Sequence, residues 1–265
     1  MRVALTQLAA GVDTERNVDD IRRLTADLDA DLIVFPEAVM HDFGDPATPL
    51  GPVAQPVDGP FVAALTAIAH ERDAVVVAGM FESSPDPDRP YNTLVAVAPD
   101  GDVIGTYRKA HLYDSFGYRE SDRLAAGDPV PALVEVDGLK LGLLTCYDLR
   151  FPEQSRALVE AGADVLVIPA AWVRGPLKED HWETLLRARA IENTVYVAAA
   201  AQCGKAYCGR SMLVDPMGVA VAALGADEGI IVSTVEADRI ATARDRNPAL
   251  RHRRPWPTLT AAAGP

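Results

Sequence analysis

Glu37 in DLIVFPEA, Lys109 in VIGTYRK and Cys146 in LGLLTC each close an apolar run and stand where polar chain begins. A carboxylate, an ammonium and a thiol make chemical sense together as acyl-transfer machinery. A thiol needs a base to become a thiolate near neutral pH, and a buried carboxylate serves where histidine is the more familiar choice. Glu37 would be that base. The oxyanion needs a positive donor, which an ammonium and the backbone N–H after the nucleophile supply in a dry pocket. Lys109 and the Tyr147 amide fit that need, and the lysine charge also favours the thiolate itself. Each residue has an ordinary structural reading too: Glu37 as a helix cap, Lys109 as a surface lysine with a buried stem, Cys146 as a small core hydrophobe.

The elements that would position these groups follow from periodicity. VALTQL (3 to 8) and DLIVFPEA (31 to 38) are short apolar runs and read as strands buried on both faces. Between them Val18, Ile21, Leu24 and Leu28 recur at helical spacing, with Thr14 as the expected N-cap. A second helix, FVAALTAIAHERD, leads into the strand AVVVAGM, and residues 91 to 109 read as two strands joined at Pro99-Asp100-Gly101.

From residue 139 the order begins again. LKLGLLTC parallels MRVALTQ, DVLVIPAA parallels DLIVFPEA, NTVYVAAAA parallels AVVVAGM, and GRSMLVDPMGVAVAAL parallels the hairpin at Pro99. In this register Glu37 matches Ala170, so one half carries an ionisable group where the other keeps a methyl. Neither half has enough helix to cover both faces of its sheet. The expectation is therefore an α/β fold: a four-layer α-β-β-α sandwich with an internal pseudo-twofold repeat. One domain would span 1–265, with halves at about 1–110 and 139–235. Residues 236–265, dense in Pro and Arg, are expected to be an extended tail over the surface or across a partner. In an α/β sheet ligands gather outside the carboxyl ends of strands, which is where Glu37, Lys109 and Cys146 lie.

Composition narrows the function classes. The chain has 265 residues, 24% of them charged, with a formal net charge of -13. That balance repels a phosphate backbone, and no Lys/Arg run opposes it, so nucleic acid is not an expected partner. No apolar run approaches the roughly 20 residues of a membrane span, and MRVALTQLAA lacks the pattern of a secretory signal. The cytosol is the expected location. Three cysteines do not form a disulfide framework. Cys203 and Cys208, four residues apart in QCGKAYCGR, read as free thiols, and His70, His181 and His252 have no clustered carboxylates that would indicate a metal.

FPEA at Glu37, YRKAHLYD at Lys109 and CYDLRFPE at Cys146 resemble, in order and spacing, the three motif boxes of the nitrilase superfamily, the carbon-nitrogen hydrolases. The resemblance extends over HWETLLRARAIENTVYVAAAAQCG and GRSMLVDPMG, nearly the whole chain. It implies an α-β-β-α sandwich, a Glu-Lys-Cys triad, no metal or organic cofactor, and a homodimer or larger homo-oligomer. It also implies a second pocket glutamate, Glu120 in SFGYRESDRLAAGD, that orients Lys109 and helps position the substrate amide or the water.

The boxes look most like the branch of omega-amidases and deaminated-glutathione amidases, which release ammonia from small carboxylate-bearing amides. They resemble nitrilases proper only in outline. N-carbamoyl amide hydrolysis is the alternative, because Arg174 in PAAWVRG follows a strand end and is suited to a substrate carboxylate; its other reading is an exposed loop arginine. Trp172, His41 and Phe43 are further candidates for shaping the pocket. His111 is the residue on which a rival cysteine-histidine hydrolase would depend. Arg150 is expected to brace its turn through a neighbouring carboxylate.

Overall fold

The computed structural model describes residues 1–254. In chain order its elements are β1 (Arg2–Gln7), α1 (Thr14–Thr25), β2 (Leu32–Val34), α2 (Pro60–Arg72), β3 (Val75–Glu82), β4 (Tyr91–Val97) and β5 (Val103–Arg108). A short hairpin, β6 (Asp114–Ser115) and β7 (Tyr118–Arg119), precedes β8 (Leu133–Val136) and β9 (Leu139–Leu143). Then come α3 (Pro152–Glu160), β10 (Val165–Ala170), α4 (Lys178–Asn193), β11 (Tyr196–Ala201), β12 (Met212–Val214), β13 (Ala220–Ala223), β14 (Gly229–Thr234), α5 (Ala237–Arg246) and α6 (Ala249–His252).

One six-stranded sheet runs β14-β1-β2-β3-β4-β5 and the other β13-β12-β11-β10-β9-β8. In the first, β1, β2 and β3 are parallel and β4 and β5 antiparallel. In the second, β9, β10 and β11 are parallel and β12 and β13 antiparallel, the same order. An antiparallel strand then completes each sheet beside its first member, β14 on β1 and β8 on β9.

Successive residues of each central strand face opposite ways, so both faces must be apolar to be buried. In β2, Leu32 and Val34 enter a core shared between the sheets, while Ile33 packs beneath α1 and α2 with Ile21, Leu65 and Ile68. In β10, Val165 and Val167 enter the shared core, while Leu166 and Ile168 pack with Trp182 and Leu186 of α4. The layers are therefore α-β-β-α, as expected from sequence.

Two local expectations are corrected. Asp13, not Thr14, caps α1: its side chain accepts from the Arg16 N–H at 3.2 Å, and the helix ends at Thr25, so Leu28 packs from the following turn. The segment after 236 is not extended, because Ile240 and Ala243, three residues apart, give α5 a buried stripe, with Ile240 entering the shared core. Two of its three arginines bind carboxylates: Arg239 binds Asp215, and Arg244 binds Asp164 at 3.2 Å. Residues 255–265 of the expected tail lie outside the described residues. Among the described residues no helix is long and apolar enough to cross a membrane.

Candidate active site

Glu37 is carried past the end of β2 by a turn that packs against β3. Phe35 N–H still donates to Val77 O at 2.8 Å, and Ala38 then takes a left-handed backbone with φ 54°. Gly79 of β3 is what permits the approach: a Cβ there would lie 2.5 Å from Ala38 N and 2.7 Å from Glu37 Cα. The Gln202 amide, just past β11 of the other sheet, donates to Glu37 O at 2.9 Å and fixes the turn from the opposite side.

Lys109 follows β5, and its N–H donates to Asn92 O at 2.8 Å. Cys146 lies three residues beyond β9 and opens a 3-10 turn, Cys146–Arg150, with φ 45°. A non-glycine residue in that region is strained, and such strain persists only where the surroundings impose it. Tyr147 is next in the turn, at a helix-start position whose N–H has no intrahelical partner.

The ionisable groups converge although they are distant in sequence. Lys109 Nζ donates to Glu37 Oε1 at 2.9 Å and to both Glu120 oxygens, at 3.0 and 2.9 Å. Glu37, Lys109 and Glu120 are each at most 2% exposed. The second Glu37 oxygen accepts from Ala171 N–H at 2.6 Å, and Glu120 accepts from Tyr113 N–H at 2.5 Å. All three residues share with Cys146 the lining of one cavity of about 460 Å³.

Burial alone would lower the Lys109 pKa, but Glu120, Glu37 and Cys146 outweigh it and hold the ammonium charged far above the ordinary lysine range. Glu120 is pushed up by burial and by Glu37 against the pull of Lys109, as expected where two carboxylates share one cation. The Cys146 thiol is pushed well up, first by burial and then by Glu37, with Lys109 opposing. The resting sulfur thus keeps its proton. A nucleophile in that state needs a base that acts during attack, and Glu37 and Glu120 are the carboxylates lining the same cavity.

Asn92 was not apparent from sequence. Its amide donates to Glu37 Oε1 at 2.7 Å and to Glu120 Oε1 at 3.4 Å, bridging the two carboxylates. The hairpin contained the signal: in antiparallel register the start of β4 lies beside the end of β3, with Asn92 opposite Phe81.

Asp148 is the second residue that sequence reading missed. Fully buried, it accepts at Oδ2 from the Tyr107 hydroxyl at 2.6 Å and from Thr145 N–H at 2.9 Å. Its Oδ1 accepts from His111 N–H at 3.1 Å and lies 2.8 Å from His111 Nδ1. His111 also stacks on Phe151 with ring centroids 3.7 Å apart. This histidine is therefore held as a brace and does not line the cavity of Cys146, which removes the basis for a cysteine-histidine pair.

The remaining candidates separate. Phe43 and Trp172 line the cavity. His41 does not; its Nδ1 lies 2.6 Å from Asp42 O and its ring packs edge-on to Phe81, because the turn after Glu37 points it into the helix-side core. Arg174 lines the cavity as an exposed residue, with Nε donating to Tyr207 O at 2.7 Å. Arg150 does not meet the expected carboxylate among the described residues: its guanidinium lies 4.8 Å from the Trp172 ring centroid and 3.3 Å from His181 Nδ1, tying the turn to the Trp172 segment and α4 instead. Cys203 and Cys208 are buried free thiols outside the cavity.

The chain is similar to known proteins over nearly its whole length. Residues 2–245 match the family model described as carbon-nitrogen hydrolase. The chain is 40% identical to a deaminated glutathione amidase of Escherichia coli O157:H7 over 96% of its length and 97% of that protein's. It is 36% identical to the human deaminated glutathione amidase, over 96% of its own length and 82% of the other's. Among solved structures, a carbon-nitrogen hydrolase superfamily protein from Xanthomonas campestris, with an arsenic adduct in its active site, superposes with TM-score 0.87. It is 30% identical, with 97% and 98% of the two chains covered. A cysteine-to-alanine mutant of an amidase from Nesterenkonia AN1 superposes with TM-score 0.79 at 27% identity, covering 95% of both chains.

Proposed function

The chain belongs to the carbon-nitrogen hydrolase family, and on that premise we propose that it is an amidase acting on a small carboxylate-bearing amide through a thioester on Cys146. The observation that carries this reading is the buried Lys109 ammonium held between Glu37 and Glu120 in the cavity that contains the Cys146 thiol.

In the proposed cycle Glu37 takes the thiol proton as Sγ attacks the amide carbonyl carbon. The carbonyl electron pair moves to oxygen, which Lys109 and the Tyr147 N–H stabilise. At rest Glu37 and the two Glu120 oxygens engage Lys109. Once Glu37 is protonated its hold on Nζ weakens, so a donor is released to the oxyanion in the step that creates it. Collapse of the intermediate breaks the C–N bond, and Glu37 protonates the nitrogen that leaves as ammonia. A water then gives a proton to Glu37 and attacks the thioester; the acid departs and the sulfur recovers its proton. Glu120 acts throughout by holding Lys109 in place.

The test is an ammonia-release screen over small amides, N-carbamoyl amino acids and nitriles. Release from amides bearing a carboxylate is expected. Turnover confined to nitriles, or absent from all three classes with folded protein, overturns the reading.

A further inference from the structure

Lys178 is a second buried lysine lining the same cavity, and its surroundings are the reverse of those of Lys109. Lys109 has two carboxylates. Lys178, 5% exposed, has none among the described residues: Nζ donates to the Tyr113 hydroxyl at 2.9 Å and faces aromatic rings. The ring centroids of Tyr113, Phe116 and Trp172 lie 4.7, 4.7 and 5.3 Å from it. A buried ammonium is ordinarily paired with an anion, because taking it out of water is costly. Cation–π contacts offset part of that cost and leave N–H donors unused.

The position is built rather than incidental. Lys178 opens α4, its N–H donates to Gly175 O at 3.0 Å, and its carbonyl accepts from Trp172 Nε1 at 2.7 Å. Arg150, also without a carboxylate, lies against the same Trp172. Burial first and then the Arg150 charge lower the Lys178 pKa, while Cys146 raises it, so the two cations and the sulfur lie within electrostatic reach of one another. The cavity is thus divided by charge. On one side Lys109 is outnumbered by Glu37 and Glu120; on the other Lys178 lines the cavity with no counter-ion among the described residues, and Arg150, outside the lining, adds its charge from against Trp172.

We propose that Lys178 is the specificity-determining residue of the pocket: its ammonium holds a carboxylate on the acyl part of the substrate and so favours acidic amides over neutral ones. The proposal rests on the amidase reading above and names the residue that recognises the acid. The competing role, a second cation that activates Cys146, would assist neutral and acidic substrates equally.

Two probes of equal length separate these roles. N-Iodoacetylglycine carries a carboxylate and N-iodoacetylglycinamide does not; each alkylates Cys146 with loss of iodide, and peptide mass spectrometry locates the adduct. Wild-type protein is expected to react with the acid about tenfold faster than with the amide, the scale of one charge-assisted hydrogen bond. K178M, which keeps an apolar stem among the rings, should lose the preference, and K178R should restore most of it, with circular dichroism confirming that both are folded. Equal rates in the wild type, or an unchanged preference in folded K178M, overturn the proposal. Equal slowing of both probes assigns the lysine to the thiolate and also overturns it. Ammonia release from glutaramate and pentanamide is measured alongside; K178M should raise KM for glutaramate about tenfold more than it raises KM for pentanamide. If wild type turns over neither amide but keeps its probe preference, the amidase reading fails while the anion site stands.

Discussion

The Tyr107 hydroxyl donates to Asp148 Oδ2 at 2.6 Å, joining the strand that leads to Lys109 with the turn that begins at Cys146. The same hydroxyl accepts from Ala110 N–H at 3.1 Å and from the Gln154 amide at 2.6 Å. Ammonium and sulfur are thereby held in one frame. Tyr107→Phe leaves these groups without their shared partner and is expected to cost about 1–3 kcal/mol in urea unfolding. Ammonia release should fall more than stability explains, because the distance from Lys109 to Cys146 relaxes. Wild-type turnover in folded Tyr107→Phe would show that this bond does not position the site.

Cys146→Ala should leave a folded protein without measurable turnover, whereas His111→Gln should keep ammonia release within about tenfold of wild type. The reverse order would restore the cysteine-histidine reading.

Lys109→Met leaves Glu37 and Glu120 buried together without their cation. Removing one partner of a buried ionic group costs about 3–5 kcal/mol. Adding Glu120→Gln to Lys109→Met should recover part of that loss, since one uncompensated charge is removed, while activity stays absent. Chemical denaturation of the single and double variants measures the coupling; strictly additive losses would contradict the geometry.

Gly79→Ala places a methyl against Ala38 N and Glu37 Cα, both backbone atoms that cannot swing aside. Overpacking of this kind costs about 1–3 kcal/mol. The turnover of Gly79→Ala should fall at least about tenfold even where the protein is fully folded, because the displaced element is the one carrying Glu37.

His111 gives a stability dependence on pH. Its bond to Asp148 raises its folded-state pKa above the ordinary histidine value of 6.5, against the opposing effect of burial. The resulting stability is fully present below the unfolded value and is lost as pH rises through the folded one. Urea unfolding from pH 6 upward should therefore show a decline in wild type that is absent in His111→Gln; equal pH slopes would contradict the pairing.

The sequence by itself determined the duplicated strand order, the buried parallel strands and the four ionisable groups, three from their residue types at strand ends and Glu120 from motif resemblance. Such features are local: two-faced apolar runs are legible within eight residues, and a carboxylate where the sister repeat keeps alanine stands out without coordinates. Tertiary structure decided what depends on contacts across the sheets. Asn92 bridges Glu37 and Glu120 because the β3–β4 register places it there, and Asp148 bonds to Tyr107, 41 positions away. His41 lies two residues from the pocket lining at Phe43 yet is turned away from the cavity. Lys178, one of several charged residues opening a helix, differs from its neighbours only in being enclosed by aromatic rings from two separate segments. Burial without a counter-charge is a property of three-dimensional surroundings, and no spacing within the chain encodes it.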